Sequence, residues 1–84
     1  ERKDVKKALE SFEQGLKNNP RNRQLAMQIA MTSDSYYKDK SIALKHYEYY
    51  VRRFFSYDKE STLYAESRIK EIKKELFMKG VTEE

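Results

Sequence analysis

The sequence predicts an all-α fold of four helices, joined by short turns into antiparallel hairpins. Three observations point there. Between Ile42 and Phe55, residues Ala43, Tyr47, Tyr50 and Phe54 recur at i, i+4, i+7 and i+11, which is one face of an α-helix. Leu44, Val51 and Phe55 widen that face, so the helix needs a neighbour on more than one side. The same stretch has a copy: Lys7-Ala8-Leu9-Glu10-Ser11-Phe12-Glu13 matches Ile42-Ala43-Leu44-Lys45-His46-Tyr47-Glu48 at Ala, Leu, the aromatic and Glu, an offset of 35 from position 8 to position 43. Finally, only two Gly and one Pro occur in 84 residues, beside many Leu, Ala, Lys, Glu and Arg, a composition that favours helix and few turns.

Taken in order, the first helix spans about 3–17, with Val5, Ala8, Leu9, Phe12 and Leu16 on one face and Lys6, Lys7, Glu10, Glu13 and Lys17 on the other. Asn18-Asn19-Pro20 ends it, because Pro lacks an N–H and Asn accepts a cap geometry. Asn22 is placed to cap the second helix, about 23–37. Its inner face carries Leu25, Ala26, Ile29, Ala30, Ser33 and Tyr37; its outer face carries Gln24, Met27, Gln28, Met31, Asp34 and Ser35. Lys38-Asp39-Lys40 is the only break before the central helix, and a connection this short makes the pair an antiparallel hairpin with Asp39 as cap. Ser56 to Lys59 reads as a turn. The last helix, about 60–79, shows Ala65, Ile69, Ile72 and Leu76 at helical spacing; Gly80 should stop it, leaving Val81 to Glu84 as a frayed tail.

A chain of this length makes one small domain or part of a larger one, and buries roughly 60–65% of the surface its unfolded form exposes. The first residue is Glu rather than Met, which reads as a processed or excised piece. Without Cys there is neither a disulfide framework nor a thiolate metal site. The net charge of +4 comes from 18 basic and 14 acidic residues spread along the chain, whereas nucleic-acid surfaces gather theirs into a patch. No apolar run approaches the roughly 18 residues of a membrane span.

Ala8, Phe12, Gly15 and Pro20 together resemble the second helix of a tetratricopeptide repeat (TPR), a helix-turn-helix unit of about 34 residues. There a small residue, an aromatic four later, another small residue three beyond and a closing proline recur. Ala43 and Tyr47 fit the next copy, while Tyr50 and Phe55 stand where a small residue and a proline are usual. Ala65 falls where the first helix of a following repeat carries its small residue. The resemblance covers about residues 5–76 and implies antiparallel hairpins stacked as a short TPR-like α-solenoid. In it, 3–17 is the second helix of one repeat, 23–55 is a full repeat and 60–79 is a capping helix. Other α-solenoids and a plain four-helix bundle share the same pattern.

Chemistry is thin. His46, the lone histidine, lacks the companions of a triad or metal site. Asp34 and Asp39 lack the Gly turn and closing Glu of a calcium loop, and Gly15 and Gly80 stand too far apart for a phosphate cradle. The reading is therefore of no enzyme, with no catalytic residue, metal or cofactor. Seven tyrosines beside Arg52 and Arg53 would suit base stacking, but at helical spacing they pack. By the resemblance, first helices line a groove that binds peptides, which puts Gln24, Met27, Gln28, Met31, Asp34 and Ser35 in that groove. Met and Gln stand where some members hold a peptide carboxylate with Lys and Asn, so that clamp is not implied.

The function expected is a protein-interaction scaffold for a protein or peptide partner. The alternatives are a capping or oligomerisation segment of a longer solenoid, and a basic helical nucleic-acid binder. If the first helix has lost a neighbour, Val5, Ala8 and Phe12 form an uncovered strip suited to self-association.

Overall fold

The computed structural model describes the backbone of residues 2–83 and the side chains of residues 4–79. Four helices follow one another: α1 (Arg2–Asn18), α2 (Arg23–Tyr36), α3 (Lys40–Phe54) and α4 (Lys59–Glu83). Among the described residues, their Cα traces come within 8 Å only between successive helices, α1 with α2, α2 with α3 and α3 with α4. The molecule measures 42 × 34 × 17 Å. A closed four-helix bundle would bring α1 back against α4 and have two similar short dimensions. The stack is instead open and flat, a short α-solenoid of helical hairpins.

The core is built around α3. Ala43, Tyr47, Tyr50 and Phe54, the four residues of the sequence period, are all buried. They cluster with Ala26 and Ala30 from α2 and with Ala65 and Ile72 from α4. Alanines on three consecutive helices leave space for backbones to approach, and the tyrosine and phenylalanine rings fill what remains. Tyr50 occupies the place where a small residue was usual by resemblance; its ring lies 5.5 Å from that of Phe54. Phe54 in turn meets Tyr57 edge-on at 5.8 Å. Each large ring buried here contributes about 1.5–3 kcal/mol. At the other contact, Gly15 lets α1 close on α2: a Cβ at that position would stand 2.9 Å from Leu25 Cδ2.

The turns are held by caps. Asn22 accepts the Leu25 N–H at 3.0 Å, and Asp39 accepts the Ser41 N–H at 3.1 Å and its hydroxyl at 2.6 Å. Both caps stand where the sequence placed them. Asp58, within a stretch read only as a turn, caps α4 by accepting the Glu60 N–H at 3.2 Å and the Ser61 hydroxyl at 2.9 Å. Thr62 donates its hydroxyl to the Phe55 carbonyl at 3.1 Å, satisfying an acceptor left open where α3 ends. Arg53 Nε donates to the Pro20 carbonyl at 3.2 Å, tying the end of α3 to the turn between α1 and α2.

One expectation is corrected. Gly80 does not stop the last helix, which runs through it to Glu83 in place of a frayed tail from Val81; residue 84 lies outside the described residues. A glycine costs a helix interior only about 1 kcal/mol relative to alanine, and no proline follows to block the ladder.

Candidate interaction groove

In an antiparallel stack, α2 and α4 both pack against α3 and run in the same direction. Between them is a groove. Gln24, Met27, Gln28 and Met31 line a hollow of about 510 Å³, closed at its floor by Tyr50 of α3 and on the α4 side by Ser61. A second hollow of about 300 Å³ adjoins it, bounded by Met27, Met31, Glu60, Ser61 and Tyr64. Met31 remains 47% exposed and Tyr64 44%. The surface is a thioether pair and a ring, rimmed by amides, hydroxyls and the charged Arg23, Asp58 and Glu60. It offers apolar contact with flexible hydrogen bonding.

Four of the six residues expected in the groove are brought together here; Asp34 and Ser35 line neither hollow. Ser35 is exposed farther along α2. Asp34 turns into the helix stack, where its carboxylate accepts from Arg68 Nε at 2.8 Å and Nη2 at 3.0 Å, from Lys40 Nζ at 3.1 Å and from Tyr47 Oη at 2.9 Å. Lys40 Nζ also donates to the Asp34 backbone carbonyl, one of those the end of α2 leaves open. Burial alone would raise the pKa of Asp34, but the hydrogen bonds from Arg68, Lys40 and Tyr47 outweigh it and hold the carboxyl below its ordinary range. The Tyr47 hydroxyl is pushed far above its ordinary value, first by burial and then by hydrogen bonding with Tyr64 and Asp34. The helical spacing that places Asp34 beside Met31 does not reveal this network, which depends on a partner in α4.

The opposite wall of the groove, Glu60, Ser61 and Tyr64, is not among the residues expected there from the sequence. A signal existed: these residues stand at i, i+1 and i+4 on a helix parallel to α2, just ahead of Ala65 in the repeat phase.

Elsewhere, His46 is half-buried at a shallow hollow of about 450 Å³ between α1 and α3, with Leu16, Pro20, Ile29 and Tyr49, and with Glu13 and Lys17 on its rim. Burial lowers the imidazole pKa against the opposing pull of Glu13. Among the described residues, no group of three or more His, Asp or Glu is placed to hold a metal ion. Tyr47 and Tyr50 are buried whereas Tyr57 and Tyr64 are exposed, so the tyrosines do not form one stacking surface. Val5, Ala8 and Phe12 are half-buried, on a helix whose backbone approaches only α2. No helix among the described residues is long and apolar enough to cross a membrane.

No model of a known protein family matches the chain, and no curated protein or solved structure matches it.

Proposed function

We propose that the chain is a protein-interaction module of TPR type, binding a peptide or a segment of a protein in the groove between α2 and α4. The observation that carries this reading is the exposed Met31, with half-buried Met27 beside it, lining one hollow with Tyr64 of α4. Large apolar side chains left open on a rigid helical scaffold, with amides and hydroxyls beside them, are what a recognition surface needs. The resemblance of Ala8, Phe12, Gly15 and Pro20 to a repeat helix, and of Ala43 and Tyr47 to its next copy, supports the same assignment.

The experiment selects peptides on the folded chain from a displayed random library. Met27→Glu with Met31→Glu should abolish binding of the selected peptides while circular dichroism keeps its helical signal. Binding that survives this change, but is lost in Arg52→Ala with Arg53→Ala and falls steeply with salt, would replace the groove by an electrostatic surface.

A second reading, self-association through α1, has one observation in its favour: the α1 backbone approaches only α2 among the described residues and Val5, Ala8 and Phe12 stay half-open. Mass by light scattering across a concentration series tests it. Growth in mass that Phe12→Ser removes supports an interface there; a monomer throughout discards it.

A further inference from the structure

The smaller of the two hollows has a charge asymmetry that bears on what enters it. Glu60 is the one charged residue on its wall. Its carboxylate makes no ion pair or hydrogen bond among the described residues, while its backbone N–H is capped by Asp58. The nearest candidate cation on the groove, Arg23, is already held, 4.0 Å from Asp58 and with its guanidinium 5.8 Å from the centre of the Tyr57 ring. At the far end Arg68 is spent on Asp34 and Glu71. In a chain with an excess of basic residues, the groove thus presents an unmatched negative charge beside two methionines and a tyrosine ring.

We infer that this hollow receives a basic side chain of the partner, an arginine or lysine, with an aliphatic neighbour seated in the adjoining hollow over Tyr50. The inference rests on the groove being the binding surface. Each part of a long basic side chain finds a match. Its methylene stem lies against Met27 and Met31, its cation reaches the Glu60 carboxylate, and the face of Tyr64 adds a cation–π attraction. The volume of about 300 Å³ is at the small end of ligand sites, which suits one side chain rather than a cofactor. A single ring beside a carboxylate favours a cation that also donates hydrogen bonds. A fully methylated ammonium, which is bound by several rings, does not fit this chemistry. An acidic peptide is disfavoured in the smaller hollow, because Glu60 would repel it and the cation of the larger hollow, Arg23, is already paired with Asp58.

The probe is a displayed library of short random linear peptides. Selected binders should share one Arg or Lys beside Leu, Ile or Met, with Asp and Glu depleted. A selected peptide is then resynthesised with citrulline for its arginine, or with norleucine for its lysine, and measured against the wild type and Glu60→Gln. Each change alone should weaken binding about two- to fivefold, the effect of one exposed ion pair, and the two together hardly more than either. Glu60→Lys should turn the selection toward acidic peptides. Peptides with no basic preference, or losses that simply multiply, would overturn this inference while leaving the groove intact, provided Met27→Glu still abolishes binding. A selection that yields no binder sensitive to Met27→Glu overturns the groove reading and this inference with it.

Discussion

Arg68 of α4 grips the carboxylate of Asp34 in the last turn of α2 through two parallel hydrogen bonds of 2.8 and 3.0 Å, joining two helices whose backbones do not touch. The link passes alongside α3, whose Tyr47 donates to the same carboxylate. Three helices are thus pinned by one acidic group, and the angle between α2 and α4, hence the width of the groove, is fixed from its far end. Two-pronged pairs of this kind constrain orientation as well as distance. Arg68→Met should lower stability by about 1–3 kcal/mol, since Asp34 keeps Lys40 and Tyr47 but loses its strongest partner. The side chains are 22% and 12% exposed, so the loss should fall short of that for a fully buried pair. Urea denaturation measures it, and an unchanged midpoint would show that the pair orders the stack without stabilising it.

The same network sets the pH range of stability. The depressed pKa of Asp34 means that the unfolded chain binds more protons, so its contribution is complete above the ordinary value of 3.8 and disappears as pH falls below it. The raised pKa of Tyr47 acts in the opposite sense: its contribution is complete below the ordinary value of 10.0 and fades as pH rises beyond it. His46, lowered by burial, should add a smaller loss on acidification below 6.5. Thermal midpoints across pH should therefore form a plateau from about pH 7 to 9 with losses on both sides. Tyr47→Phe should remove the alkaline loss, and persistence of that loss in the variant would assign it elsewhere.

Ser33 is 1% exposed and its hydroxyl has no hydrogen-bond partner among the described residues. It sits among Ala26, Ile29 and Ala30 on the buried face of α2, where a small side chain is required. Ser33→Ala keeps the size and removes an unpaired buried dipole, so it should be neutral or stabilising by up to about 1 kcal/mol. A loss of stability would mean that the hydroxyl has a partner, such as a bound water.

The fold was legible because its main determinants are local. The spacing of Ala43, Tyr47, Tyr50 and Phe54 needs only the period of a helix, and the caps Asn22 and Asp39 need only their position before it. Asp58 carries a similar signal, an Asp just ahead of a helix with Ser61 three residues on, but it lies inside a stretch that reads simply as a turn. Asp34 was not legible in this way. Its helical position groups it with Met27 and Met31, and what draws it inward is Arg68, remote in sequence and brought near only once α2, α3 and α4 have packed. Half of the groove was hidden for the same reason, since one wall belongs to α2 and the other to α4.

Gly15 separates two opposing effects. Replacing glycine by alanine inside a helix gains about 1 kcal/mol. The added Cβ would sit 2.9 Å from Leu25 Cδ2, which is too close, but that methyl is the end of a flexible side chain that is not fully buried. Leu25 can rotate away at modest cost, so Gly15→Ala should leave stability within about 0.5 kcal/mol of the wild type or raise it slightly. Gly15→Leu has no such escape and should loosen α1, detected as faster amide exchange in α1 with α3 unchanged. Equal protection of α1 in both variants would show that Gly15 does not set the α1–α2 distance.

The repeated motif itself provides the last test, because its two copies occupy different surroundings. Ala43 is fully buried on α3, between α2 and α4, in one cluster with Ala26, Ala30 and Ala65. Ala8, its counterpart in the first copy, is half-buried on α1, whose backbone approaches only α2. Extra methylenes at Ala43 must displace a neighbouring helix, because both sides are occupied and α3 has nowhere to move. Ala43→Leu should therefore cost about 1–3 kcal/mol. At Ala8 the same atoms can turn toward the open side of α1, so Ala8→Leu should change stability by less than about 0.5 kcal/mol. Denaturation of the two variants side by side makes the comparison independent of leucine's intrinsic helix preference, which is common to both. Equal losses at the two positions would mean that α1 is as enclosed as α3, and the open stack described here would have to close into a bundle in solution.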